Sequence, residues 1–241
     1  TMKRAIWFLV AALFLLLVIE PNLTYQLQEP LAKIPTYDEN AAFRTNNDVE
    51  TPLAKSKALI YIDPARGGKD TGYKGAGQMA EKDLLMQLAL AIGDALEKAG
   101  YCIEYGRWYD NIPACSDEES CENARLQEAK DLQADYVLAL AMNQDSSLHR
   151  GYSLFTQPNA TLEALANELA TQIQITSYSS FEGIDTDHYL SFPVLRDSSI
   201  PSILLQAGYI TNPSDYAKLA DTKFQTRLAN AIAQAFLNII D

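Results

Sequence analysis

From residue 57 onward the apolar positions switch between two periods, as expected of strands alternating with helices. The run ALIYI at 58–62 predicts a short strand ending at Asp63-Pro64 and a glycine-rich loop. Leu84, Leu85, Leu88, Ala91, Ile92, Ala95 and Leu96 recur at helical spacing, and Gly100 supplies the stop. YCIEY at 101–105 predicts a second strand and residues 120–132 a helix. YVLALA at 136–141 reads as a continuous apolar strand buried on both faces. A strand at 151–155, a helix from about 160 to 176 and a strand at 203–206 follow. The last helix sets Phe224, Leu228, Ile232, Phe236 and Ile239 or Ile240 on one face. No repeat interrupts this alternation. The predicted class is α/β, a mostly parallel twisted sheet with helices on both faces. Ligands in such folds bind outside the carboxyl ends of strands, so the loops after 58–62, 136–141 and 203–206 are where chemistry is expected.

The N-terminus has a different pattern. Residues 5–19, AIWFLVAALFLLLVI, are apolar throughout, follow Lys3-Arg4 and end at Glu20-Pro21. As a helix they would be about 22 Å long, short of the ~30 Å hydrocarbon core but close to it if the flanks snorkel. A cleaved signal peptide has a similar outline, but a small-x-small cleavage site is missing, which favours an uncleaved signal anchor. Lys3 and Arg4 would stay in the cytoplasm, placing the remainder on the extracytoplasmic, periplasmic side of the inner membrane as a single-pass protein. Residues 21–56 lack periodicity, carry Pro21, Pro30, Pro35 and Pro52, and read as a linker. The expected division is therefore 1–20 tip and anchor, 21–56 linker, and 57–241 α/β domain.

Thirty-one acidic against nineteen basic residues give a net charge of −12, which excludes nucleic acid as a partner in the absence of a basic patch. Cys115 and Cys121 flank an acidic stretch, SDEES, and a small disulfide is expected there. Cys102 falls in an apolar strand pattern and reads as a buried, inert thiol. There is no CxxC, hence neither a redox motif nor a cysteine zinc site.

The loop DPARGGKDTG at 63–72 is not a P-loop, because Lys69 precedes Asp70 and Asp63 stands where its first glycine belongs. Read as IDPARGGKDTG (62–72) followed by EKDL (81–84), it resembles the opening of the zinc-dependent N-acetylmuramoyl-L-alanine amidases, the amidase-3 family of cell-wall hydrolases. The resemblance continues at Arg125, ADYVLALAMN (134–143), Val194-Leu195-Arg196 and PSILLQAGYITNP (201–213), and it covers residues 58–240. In that family His, Glu and His hold zinc with one position left for water, and a second Glu is the general base. Such a zinc lowers the pKa of its water to about 7.

Carried over, the first His becomes Arg66, the Glu remains as Glu81, the second His becomes Ala141, and the base becomes Gln206. Alanine has no donor atom, a guanidinium stays protonated, and a carboxamide takes no proton from water. The resemblance therefore implies a degenerate member with its zinc lost and no catalytic residue, in which Arg66 reaches the metal position, pairs with Glu81 and is bonded by Gln206. The alternative for Glu81 is an exposed acid at a helix N-terminus. Arg66, Glu81, Asn143, Arg196 and Gln206 are the candidates for a surviving binding groove, whereas Gly67, Gly68 and Asn212-Pro213 read as loop-shaping residues.

The expected function is a tethered, catalytically inactive amidase-like domain that binds peptidoglycan fragments or an envelope protein such as a division or cell-wall-hydrolase partner. One alternative is an active amidase with a relocated metal site, for which His188 with Asp185 and Asp187 is the only sequence cluster. His149, in a polar loop, reads as solvent-exposed. A second alternative is a purely structural scaffold of an envelope complex.

Overall fold

The computed structural model describes residues 57–240. The expected signal anchor and linker (1–56) lie outside the described residues. Among the described residues no helix is long and apolar enough to cross a membrane.

Strands β1 (Leu59–Pro64), β2 (Cys102–Tyr105), β3 (Tyr136–Asn143), β4 (Tyr152–Thr156), β5 (Phe181–Asp185) and β6 (Ser202–Tyr209) form one sheet in the order β2-β1-β3-β6-β4-β5. Among the described residues the helices are α1 (Glu81–Lys98), α2 (Glu118–Asp131), α3 (Ala160–Ile175), α4 (Pro193–Arg196), α5 (Pro213–Leu219) and α6 (Thr222–Ile239), with a 3-10 turn at Tyr189–Ser191. β2, β1, β3 and β6 run parallel, whereas β4 is antiparallel to β6 and parallel to β5. The expected mostly parallel sheet is present, and its one antiparallel junction has a simple cause. No helix separates β3 from β4, and a parallel return needs a crossover of about a dozen residues or more.

Strand alternation divides the interior into two layers. Ile60, Ile62, Leu138, Leu140, Ile203 and Leu205 point into the larger core, where Leu88 and Ile92 of α1, Leu165 and Leu169 of α3, and Leu228 and Ile232 of α6 cover them. Tyr61, Val137, Ala139 and Leu204 point the other way, against Leu126 and Ala129 of α2 and Val194 and Leu195 of α4. The α6 stripe of Phe224, Leu228, Ile232 and Phe236 is buried as its spacing predicts, each side chain stabilising the fold by about 1.5–3 kcal/mol. At the start of α2, Asp117 accepts from the Ser120 N–H while the Ser120 hydroxyl bonds back to the Asp117 N–H. This capping box sets the helix start two residues before the expected position.

Three local expectations are corrected. Cys102 is exposed, not buried: β2 is an edge strand, and only its alternate residues Ile103 and Tyr105 pack on the core. β5 was not expected, because Gly183 and two acids break its apolar pattern; pairing with β4 alone makes it a strand. α5 was not expected either. Asn212 caps it through the N–H groups of Ser214 and Asp215, and Pro213 occupies its first turn, so these residues do shape the loop.

Candidate functional site

β1 delivers the chain into the 65–72 loop at the carboxyl edge of the sheet. Gly67 and Asp70 exchange main-chain hydrogen bonds of 2.9 and 3.0 Å, closing the turn. Gly67 has φ +131°, and a Cβ there would lie 2.7 Å from Ile112 and 2.8 Å from Arg107, so only glycine fits. The preceding Arg66 also has a positive φ, 68°, which costs a non-glycine residue about 1–2 kcal/mol. Its side chain lies in the cleft at the strand ends.

Glu81 is the first residue of α1 and is 2% exposed. Its N–H donates to the Tyr73 carbonyl, and its Oε2 accepts the Tyr73 N–H at 2.9 Å. Ala141 of β3 and Gln206 of β6 are register partners across the parallel ladder. Arg66, Glu81, Ala141 and Gln206 together line a cleft of about 180 Å³ at the strand ends, so four positions far apart in sequence share one site.

Arg66 Nε donates to Glu81 Oε1 at 3.2 Å, and its Nη1 reaches Glu118 at 2.6 Å and Asp70 at 3.4 Å. Partial burial opposes the charge on Arg66, but Glu81 and Glu118 outweigh it and hold the guanidinium pKa above its ordinary value. The expected Arg66–Glu81 pair is present, and the exposed-acid alternative for Glu81 is not. The expected bond from Gln206 to Arg66 is absent: Gln206 accepts instead from the Ser153 hydroxyl at 3.2 Å. The reason is register: Gln206 stands opposite Ser153 across the β4–β6 ladder, which brings that hydroxyl within its reach.

Asn143 and Arg196 do not line this cleft. Asn143 sits at a register shift at the end of β3 and accepts the Gln144 N–H. Arg196 binds the Leu190 carbonyl and Glu119 on the surface. Two carboxylates that sequence reading missed, Glu118 and Glu122, do line it. Their i, i+4 spacing on α2 was the available signal, since it puts both on one helix face. Burial, reinforced by Asp63, pushes the Glu122 carboxyl up to about 7. Beneath it the fully buried Arg125 donates from Nε to Asp63.

The disulfide joins Cys115 to Cys121 with Cα atoms 5.0 Å apart. It helps line a second cleft, of about 590 Å³, that shares Arg66, Glu118 and Arg125 with the first. His149 is exposed, as expected, and bonds Asp145 at 2.7 Å; His188 bonds Asp185 at the same distance. Among the described residues no group of three His, Cys, Asp or Glu side chains is arranged to hold a metal.

The side chains at the four family positions do not fit a zinc ion. Glu81 is their one metal-binding donor, and both its oxygens are already engaged, by Arg66 and by the Tyr73 N–H. A guanidinium in contact with that carboxylate repels a dication, and neither Ala141 nor a carboxamide replaces an imidazole.

The N-acetylmuramoyl-L-alanine amidase family profile matches residues 60–238. The sporulation-specific N-acetylmuramoyl-L-alanine amidase of Bacillus subtilis is 30% identical over 183 residues, covering 73% of this chain and 68% of the relative. The amidase LytC of the same organism is 28% identical over 190 residues, 77% of this chain, but the match spans only 36% of LytC. The solved structure of amidase AmiC2 of Nostoc punctiforme superimposes with a TM-score of 0.65 at 28% identity, covering 75% of this chain and 96% of AmiC2. With a matched segment that contains β2 to β6, all of β1 but Leu59, and both sides of the cleft, the chain belongs to the N-acetylmuramoyl-L-alanine amidase family of peptidoglycan hydrolases.

Proposed function

We propose that this chain is a catalytically inactive member of the amidase family that works by binding, held at the extracytoplasmic face of the membrane by residues 1–20. The observation that carries this reading is the ion pair of Arg66 with Glu81 at the position where the family holds its metal. A hydrolytic zinc site needs three ligands, an open position for water and a base nearby. At the four family positions the cleft offers a guanidinium, an engaged carboxylate, a methyl group and a carboxamide, and the other carboxylates that line it, Glu118 and Glu122 among them, come with no imidazole. Arg66 supplies a positive charge beside Glu81, so Glu81 stays buried without a metal. What remains is this polar opening at the strand ends beside the cleft of about 590 Å³ that shares Arg66 and Glu118 with it, a size suited to holding a peptidoglycan fragment or a segment of an envelope partner.

The deciding experiment is metal content and hydrolysis on the full chain purified without chelator. After incubation with zinc, a stoichiometry near zero is expected, with no release of peptides from muropeptides, together with retention on purified sacculi. One tightly held zinc per chain with muropeptide cleavage would overturn the reading and direct attention to His188 and its aspartates. Absence of both cleavage and sacculus binding would leave the domain as a docking scaffold for envelope proteins.

A further inference from the structure

The Cys115–Cys121 bridge closes a short loop that lines the cleft beside Arg66. The segment between β2 and α2 is pinned at its start. The buried Arg107 guanidinium donates to the carbonyls of Pro64, Ala65, Lys82 and Tyr109 at 2.7 to 3.1 Å, and Lys82 bonds Asp110 at 2.5 Å. Beyond Asn111 this pinning stops. Among the described residues, Ile112, Pro113, Ala114 and Cys115 make no main-chain hydrogen bond. The next ties are the N–H groups of Ser116 and Asp117 on the Ser120 hydroxyl, exposed bonds that compete with water. The stretch Ile112–Glu118, with Cys121, lines the cleft of about 590 Å³ together with Arg66 to Asp70. One covalent bond therefore fixes a cleft wall that few other bonds hold.

Glu118 lies inside the bridged loop, as the first residue of α2. Of the three carboxylates on Arg66 it is the nearest, at 2.6 Å against 3.2 Å for Glu81 and 3.4 Å for Asp70. Glu81 is buried and also bonded to the Tyr73 N–H, and Asp70 belongs to the same loop as Arg66. Glu118 alone reaches Arg66 from the bridged wall. The rest of α2 has its own anchors: Arg125 on Asp63, Lys130 on Asp197, and the buried Leu126 and Ala129. Opening the bridge thus loosens the wall and the first turn of α2 and leaves the remainder of the helix seated. The bridged cysteines are only six residues apart, and so short a loop adds little to the chain entropy, which keeps the domain folded when the bridge opens.

We propose that the Cys115–Cys121 bridge is a redox-operated strap that keeps Glu118 on Arg66, and that reduction by a dithiol donor opens the cleft. Both cysteines are part-buried and line the cleft, so a thiolate approaches them from that side. The donor thiolate attacks one sulfur, the S–S bond breaks, and the other sulfur leaves as a cysteine thiolate. The donor's second thiol then displaces the first sulfur. Two electrons and two protons pass to the chain, the donor ends as a disulfide, and Cys115 and Cys121 end as thiols. A disulfide donor reverses the exchange. Cys102 stands at the far end of β2 from this loop and takes no part. As a control of binding, the strap rests on reading the cleft as the binding site; the release of Arg66 does not.

The test compares the full chain in its disulfide state with the chain reduced by dithiothreitol, the reagent then being removed under nitrogen. Free thiols should rise from one to three per chain. Phenylglyoxal, which modifies guanidinium groups, should then label Arg66 about fivefold faster, the size of one part-exposed ion pair, while Arg227 on α6 keeps its rate. Glu118→Gln should label Arg66 rapidly in both states, and the Cys115→Ser, Cys121→Ser double variant rapidly with or without dithiol. Retention on purified sacculi should rise several-fold on reduction, as Glu118 no longer occupies Arg66. An Arg66 rate that reduction leaves unchanged overturns the proposal. Loss of amide protection in α6 on reduction overturns it too, since the bridge would then support the whole fold. Faster labelling with equal sacculus retention in the two states defeats the control of binding and leaves the binding reading intact. Faster labelling with no retention in either state defeats that reading and leaves the strap standing.

Discussion

Arg66 Nε lies 3.2 Å from Glu81 Oε1, and this contact couples the loop after β1 to the first turn of α1. Glu81 is almost fully buried, so its charge depends on that partner. Arg66→Ala should destabilise the fold by about 2–3 kcal/mol, because a buried carboxylate is left uncompensated. Arg66→Gly should recover on the order of 1 kcal/mol of that loss, since glycine accepts φ 68° without a steric penalty. Urea unfolding of the two variants reads the difference directly.

Zinc binding should return when the donor set does. The triple variant Arg66→His, Ala141→His, Gln206→Glu restores the family's ligand types and base around Glu81. It should hold close to one zinc per chain by elemental analysis and release peptides from muropeptides. Arg66→His alone supplies two ligands and should bind zinc far more weakly. A triple variant without metal would mean that the loop geometry, as well as the residue types, has departed from the family.

Reduction of the Cys115–Cys121 disulfide should cost about 2 kcal/mol, the chain-entropy value for so short a loop. Because the bridge leads into α2, the effect should be concentrated there. Hydrogen exchange with and without reductant should show faster exchange over residues 112–122 and little change in α6.

Glu122 makes stability depend on pH in a definite sense. Its folded pKa, about 7, lies above the ordinary carboxylate value, so the folded state binds the extra proton. Stability from this group is therefore fullest at low pH and declines as pH rises from about 4.5 through 7. Glu122→Gln should flatten that part of the profile and gain about 1–2 kcal/mol at pH 8, after allowance for solvent screening. Thermal melts across pH 4.5–8 of both proteins test the sign.

The core was legible because burial acts on side chains in register with the backbone. YVLALA at 136–141 and the α6 stripe each satisfy one period and one environment, so local sequence and tertiary packing agree. β5 was not legible, since FEGID has no apolar period and becomes a strand only beside β4. Cys102 was misread for the opposite reason: its apolar neighbours mark a strand but not whether that strand lies at an edge.

At the site, the residue types alone determined that Arg66, Ala141 and Gln206 cannot supply imidazole or carboxylate donors, because donor chemistry belongs to the side chain wherever it sits. Tertiary structure decided how the charges are shared. Glu118 and Glu122 enter the cleft because α2, 37 or more residues beyond Glu81, packs on one face of the sheet with its first turns at the cleft, a placement that no local pattern encodes. It also decided that Gln206 bonds Ser153 while Asn143 and Arg196 stay outside the cleft. Hydrogen bonds of this kind are settled by which of several partners lies within about 3 Å, and that distance exists only once the sheet, the capped helices and the loops have assembled.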